Sequence, residues 1–147
     1  MKTVKTEAPQ TPPAGAQLQL KFPSGLLGFD QVREFTLHPA APESPYFWLE
    51  ITSQPGRGFV VMSPVSSLPN YAPDVCQPDV DALGLKSSDD AFVLNIVNIS
   101  PRGEGTVNLR GPLVINRHTL VGKQCVPANV STFNQQHPLH TNRAAAA

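Results

Sequence analysis

The sequence predicts an all-β fold, a compact antiparallel β-barrel-like single domain with at most one or two short helical turns. Three observations carry that expectation. The chain of 147 residues holds 16 prolines, roughly twice the usual share of about 5%, and proline is excluded from the interior of long helices. Apolar residues recur with period two in many short runs, the mark of half-buried strands. Gly, Pro and Asn separate those runs at short spacing, as in an antiparallel barrel or sandwich.

Residues 1–16, MKTVKTEAPQTPPAGA, offer little to bury and read as a disordered tail. In QLQLKF, Leu18, Leu20 and Phe22 alternate with Gln17, Gln19 and Lys21, which defines the first strand of the folded part. SGLLGF is a glycine-punctuated turn, and REFTLH alternates Phe35 and Leu37 before the proline-rich connector PAAPESP. YFWLEIT and GFVVMS are apolar runs joined through SQPGR, whose Pro-Gly pair marks a hairpin turn. PDVDALGL carries the best helix signal, with Asp79 as a cap and Gly84 as a stop. AFVLNIVNIS is the strongest strand; PRGEG turns it into TVNL, and PLVIN and TLVGKQCV follow. The folded domain therefore spans 17–140, and 141–147, ending in RAAAA, is a flexible end.

Lysine and arginine balance aspartate and glutamate at 11 each, which argues against a protein that tracks nucleic acid by charge. The basic residues are scattered and not interleaved with aromatics, so a small barrel binding RNA directly is the second reading. Cys76 and Cys125 form no Cys-x-x-Cys pair and read as small buried hydrophobes. The N-terminus lacks the apolar stretch of a signal peptide, and no apolar run reaches the roughly 18 residues of a membrane helix. These features point to a cytoplasmic protein. No His-Glu-x-x-His, dinucleotide loop or nucleophile signature occurs, so no metal, cofactor or enzymatic activity is expected.

Two stretches remain. Between 74 and 90, Asp74, Asp79, Asp81, Asp89 and Asp90 face one cation, Lys86. That segment is either a solvated loop around a short helix or a surface that steers a basic partner. In TVNLRGPLVIN, residues 106–116, the simplest structure is one bent strand, kinked at Gly111-Pro112 with one face in the core. Asn116 fits an Asx-turn. Asn108 and Arg110 share the other face, which is either solvated or a binding surface.

TVNLRGPLVIN followed by GKQCV resembles the signature of the FliW family of flagellar assembly factors. The resemblance runs, in the family's order and spacing, through FPSGLLGF, PYFWLEIT, GFVVMSPV and NYAPDV and on to QQHPL, about residues 20–139. It implies a β-barrel-like domain that works by partner exchange. FliW-like proteins bind cytoplasmic flagellin and, when free of it, bind and antagonise the translational repressor CsrA, which relieves repression of flagellin mRNA. The expected partners are thus flagellin and CsrA, met by a monomer without direct contact to nucleic acid or membrane. The partner-binding candidates are Asn108, Arg110, Tyr71 in NYAPDV, Asp74, Asp79 and Asp81. The chain differs from the family pattern in having Gly111 where alanine is usual, a long proline-rich tail, and a neutral rather than acidic overall charge.

Overall fold

The computed structural model describes residues 2–3, 17–39, 44–64, 68 and 70–139. Its strands are β1 (Lys2–Thr3), β2 (Leu18–Lys21), β3 (Glu34–His38), β4 (Tyr46–Ile51), β5 (Gly58–Met62), β6 (Asp74–Val75), β7 (Ala91–Ile99), β8 (Gly105–Val107), β9 (Leu113–Asn116), β10 (Gly122–Gln124) and β11 (His137–Pro138). One α-helix, α1 (Gln77–Leu83), and two 3-10 turns, Ser88–Asp90 and Val130–Thr132, complete the described elements.

Every pairing between two of the described strands is antiparallel. The main sheet runs β10-β9-β7-β5-β4-β3-β2, with β8 and β11 attached beside β7. Its two ends curl towards each other: the Lys21 N–H donates to the Leu120 carbonyl at 3.1 Å, and Lys21 and Val121 form an isolated bridge. The sheet is thus barrel-like without a continuous closing ladder.

Alternation along β7 and β9 explains why AFVLNIV reads as a continuous apolar run. Phe92, Leu94, Leu113 and Ile115 point inward with Leu20, Phe22, Phe35, Leu49 and Val61. Ala91, Val93 and Val114 point outward into a second cluster with Val75, Val80, Leu83 and Leu85. Helix α1 and the segment before it cover that outer face, so the central strands are buried on both sides. Burial of this kind removes each large side chain from water at about 25 cal/mol per Å² of apolar area.

The helix forms where PDVDALGL places it and stops at Gly84, whose φ of 67° is the left-handed conformation glycine tolerates. Its N-cap is Cys76, without a side-chain cap bond; Asp79 lies inside the first turn instead. The expected tail 1–16 also departs at its start, because Lys2–Thr3 pairs with Val75 and Asp74. The rest of that tail, 4–16, and the expected flexible end, 141–147, lie outside the described residues. No helix among the described residues is long and apolar enough to cross a membrane.

Candidate functional site

The interrupted stretch NLRGP is the feature around which the candidate site is built. β8 and β9 both follow one edge of β7: Val107 lies opposite Val97, and Leu113 lies opposite Leu94. Residues 108–112 therefore face only Asn95 and Ile96, five residues against two, which leaves three in excess. A single extra residue makes an ordinary bulge; three make a protruding loop. The single bent strand expected from the sequence is therefore two strands, β8 and β9, joined by this loop, because three excess residues are too many for a strand to absorb as a kink.

Such a loop detaches backbone polar groups from the ladder, and each needs a partner when buried. Asn95 and Tyr71 supply two of them. The Asn95 amide donates through Nδ2 to the Asn108 carbonyl at 3.0 Å and to the Tyr71 hydroxyl oxygen at 3.2 Å. The Tyr71 hydroxyl donates in turn to the Leu109 carbonyl at 2.7 Å. Gln124 Nε2 donates to the Gly111 carbonyl at 3.2 Å. The Asn108 N–H reaches the Ile96 carbonyl at 2.9 Å and the Leu109 N–H reaches the Asn134 carbonyl at 3.1 Å. Asn108 Oδ1 accepts the Arg110 N–H at 2.9 Å, an Asx-turn that throws the arginine outward.

Arg110 is exposed, and its neighbour Leu109 lines an open cleft of about 330 Å³ with Leu68, Tyr71, Phe133, Asn134 and His137. Phe133 packs edge-on against Tyr71 with ring centroids 4.9 Å apart. The cleft is lined by both apolar and polar side chains.

The six candidates fall into two groups. Arg110 and Asp81 are exposed, and Asp74 is half-buried; Asp81 Oδ1 accepts from the Gln77 amide at 2.7 Å. Tyr71, Asn108 and Asp79 are engaged inside the protein. Tyr71 is buried, and burial pushes its hydroxyl well above the usual tyrosine range. Asp79 is paired with the Lys123 ammonium, whose own pKa that hydrogen bond raises. Its charge is thus neutralised internally, unlike the free steering charge the acidic segment suggests. Asn116 is also structural: its Oδ1 accepts the His118 and Thr119 N–H groups at 2.8 and 3.2 Å, and its Nδ2 donates to the Leu83 carbonyl at 2.8 Å.

Sequence reasoning passed over Asn95, Gln124 and Phe133. Asn95 did carry a signal, since a fully buried amide in a strand apolar on both faces demands hydrogen-bond partners. Cys125 is buried, and burial first of all pushes its thiol up to about 12, so it is protonated and unreactive near neutrality. No group of three or more His, Cys, Asp or Glu able to hold a metal ion occurs among the described residues.

The chain matches the family model "FliW protein" over residues 3–139. It is 38% identical over 110 residues to the flagellar assembly factor FliW of Leptospira biflexa, covering 73% of this chain and 71% of that one. It is 30% identical over 130 residues to the FliW of Natranaerobius thermophilus, covering 87% and 85%. A crystal structure of the flagellar assembly factor FliW superposes with a TM-score of 0.72 at 27% identity, covering 85% of this chain and 87% of that one.

Proposed function

The chain belongs to the FliW family, and on that membership we propose that it binds flagellin in the cytoplasm and, when free of it, binds and antagonises the repressor CsrA. The observation that carries this reading is the match over residues 3–139 to a family whose curated relatives are named flagellar assembly factors. A stoichiometric binding role is also in keeping with the geometry, in which polar side chains are spent on shaping a surface loop. In this reading Arg110 and the cleft beside it form one contact, and Asp74 and Asp81 form another. Tyr71, Asn108 and Asp79 contribute by holding those surfaces in place.

The test uses the purified chain with flagellin and CsrA from the same organism. Isothermal titration should give a stoichiometric complex with each, and added flagellin should release CsrA from the second complex. Failure to bind either protein overturns the proposal. Binding to flagellin alone retains the assembly role and removes the antagonism.

A further inference from the structure

Gln124 lies opposite Leu113 in the β9-β10 ladder, and residues directly opposite in a ladder share a face. Leu113 belongs to the inner cluster, so the Gln124 side chain leaves the sheet on that face, where it is half-buried. Its carboxamide is engaged at both ends. Oε1 accepts the Leu27 N–H at 2.8 Å, and Nε2 donates to the Gly111 carbonyl at 3.2 Å. These partners fix which way round the amide sits, because a donor faces the oxygen and an acceptor faces the nitrogen. One side chain thus joins two loops, at Leu27, 97 residues away in sequence, and at Gly111, 13 residues away.

Each loop carries an exposed side chain on a constrained backbone. Arg110 stands between two clamped carbonyls, that of Leu109 held by Tyr71 and that of Gly111 held by Gln124. Its own N–H is held by Asn108. Leu27 sits in a turn closed by the Phe29 N–H on the Leu26 carbonyl at 2.7 Å. Leu26 is 3% exposed and Leu27 75%, so the turn buries one leucine and presents the next. A single exposed leucine is ordinary on a protein surface. One whose backbone is fixed beside a fixed arginine is a preorganised contact, which loses little freedom on binding.

We propose that Leu27 and Arg110 form one flagellin-binding surface, and that Gln124 is the residue that positions both. The inference rests on the flagellin and CsrA reading and extends it. Charge assigns the partner. A repressor that binds mRNA is basic where it meets phosphate, and the acidic contact of Asp74 and Asp81 suits it. The surface around Gln124 is balanced instead: Arg110 lies on the loop side, and Asp30 lines the notch between Gln124 and the turn. Leu27 adds apolar area to that surface, which fits flagellin as the partner left for it.

The test is isothermal titration of flagellin and CsrA from the same organism into variants of the full chain, with a thermal melt to fix the folded fraction. Leu27→Ser removes the apolar contact and Arg110→Ala the cation. Gln124→Met keeps the length of the side chain and loses both hydrogen bonds. Leu27→Ser and Gln124→Met should each weaken flagellin binding at least about fivefold and leave CsrA within about twofold. In a chain already carrying Arg110→Ala and Leu27→Ser, Gln124→Met should change flagellin affinity by less than about twofold, because a positioning residue acts through the side chains it holds. Unchanged flagellin affinity in Leu27→Ser or in Gln124→Met overturns the proposal. So do equal losses for the two partners, or a Gln124 effect undiminished in the doubly substituted chain, since either marks a general disturbance of the fold. A Gln124→Met chain that does not fold assigns the residue to the fold and overturns its positioning role, and Leu27→Ser then decides the surface. A wild type that binds no flagellin overturns the flagellin reading itself; a wild type that binds it while the variants bind equally well overturns this inference alone.

Discussion

Tyr71 and Asn95 satisfy carbonyls that the loop 108–112 would otherwise strand beside the core. Leaving a buried carbonyl unpaired costs about 1–3 kcal/mol. Tyr71→Phe keeps the ring against Phe133 and removes only the hydroxyl, so it should lower stability by that amount and the melting midpoint by several degrees. Arg110 sits on the same loop with opposite expectations. Its side chain is exposed, so Arg110→Ala should shift stability by less than about 0.5 kcal/mol. Arginine is enriched among residues whose truncation weakens binding, and the same variant should weaken flagellin or CsrA binding by more than about 1 kcal/mol. Titration calorimetry alongside a thermal melt separates the two effects; a lower melt with unchanged affinity per folded molecule removes Arg110 from the interface. The aspartates divide likewise. Asp79 is buried against Lys123, and Asp79→Asn should cost about 1 kcal/mol, the upper end for pairs that retain some exposure. Asp81→Asn should leave the melt alone and flatten the salt dependence of CsrA association, since screening acts on exposed steering charges. An unchanged salt slope would return Asp81 to a merely solvated role.

Among the elements, glycine tolerance distinguishes the rigid part of the sheet from the loop. A Cβ on Gly58 would lie 2.1 Å from the Leu49 carbonyl oxygen in the adjacent strand, and a ladder backbone cannot retreat. Gly58→Ala should therefore cost about 1–3 kcal/mol, as overpacking does. The nearest atoms to a Cβ on Gly111 would be the amide nitrogens of Gln124 at 2.9 Å and Asn108 at 3.3 Å. Those amides can rotate, and Gly111→Ala should lie within about 0.5 kcal/mol of the wild type in a denaturant melt. A loss at position 111 equal to that at 58 would show that the Gln124 bond to the Gly111 carbonyl is essential to the loop. The same elements show what could be read in advance. Strands β2 to β5 and β7 follow period-two patterning or long β-branched runs, and those patterns located them because one face or both are buried. The bend in TVNLRGPLVIN was legible from Gly111-Pro112, since proline cannot donate to a ladder. The depth of the bend was not, because the partners of its carbonyls, Asn95 and Tyr71, lie 13 and 38 residues away in sequence. Composition located an acidic segment but could not assign Asp79, whose neutralising partner Lys123 is 44 residues distant. The tail carried too little apolar content to predict a strand; β1 is paired through its backbone with Val75 and Asp74, which lie more than 70 residues away in sequence.

The molecule as a whole is held at its seam by few bonds, and titrating groups lie around the curled sheet. The seam turn includes Leu120 at φ 61°, a left-handed conformation that costs a non-glycine residue roughly 1–2 kcal/mol and persists because the Leu120 carbonyl receives the Lys21 N–H. Nearby, Asp90 accepts the N–H groups of Lys86 and Ser87 at 2.8 and 3.0 Å, and these bonds lower its pKa from the ordinary 3.8, with His118 adding to the effect. At the opposite hairpin Glu50 accepts the Gly56 N–H at 2.8 Å and pairs with His38 at 2.9 Å, which lowers its pKa from 4.5. A carboxyl whose folded pKa is depressed contributes stability that is present above its unfolded value and lost as pH falls through its folded value. The buried Cys125 thiol works in the other direction. Raised from 9.0 to about 12, it contributes stability that is complete below 9.0 and lost as pH rises towards the folded value. Lys123, raised by Asp79, extends that loss above 10.5. Stability should therefore be level between 4.5 and 9.0 as far as these groups are concerned, with an acid limb below and an alkaline limb above. Thermal melts across pH check this directly. Replacing Glu50 by Gln and Asp90 by Asn together should flatten the acid limb and leave the alkaline one untouched. An acid limb of unchanged slope in that double variant would assign acid unfolding to carboxylates other than the two that cap these turns.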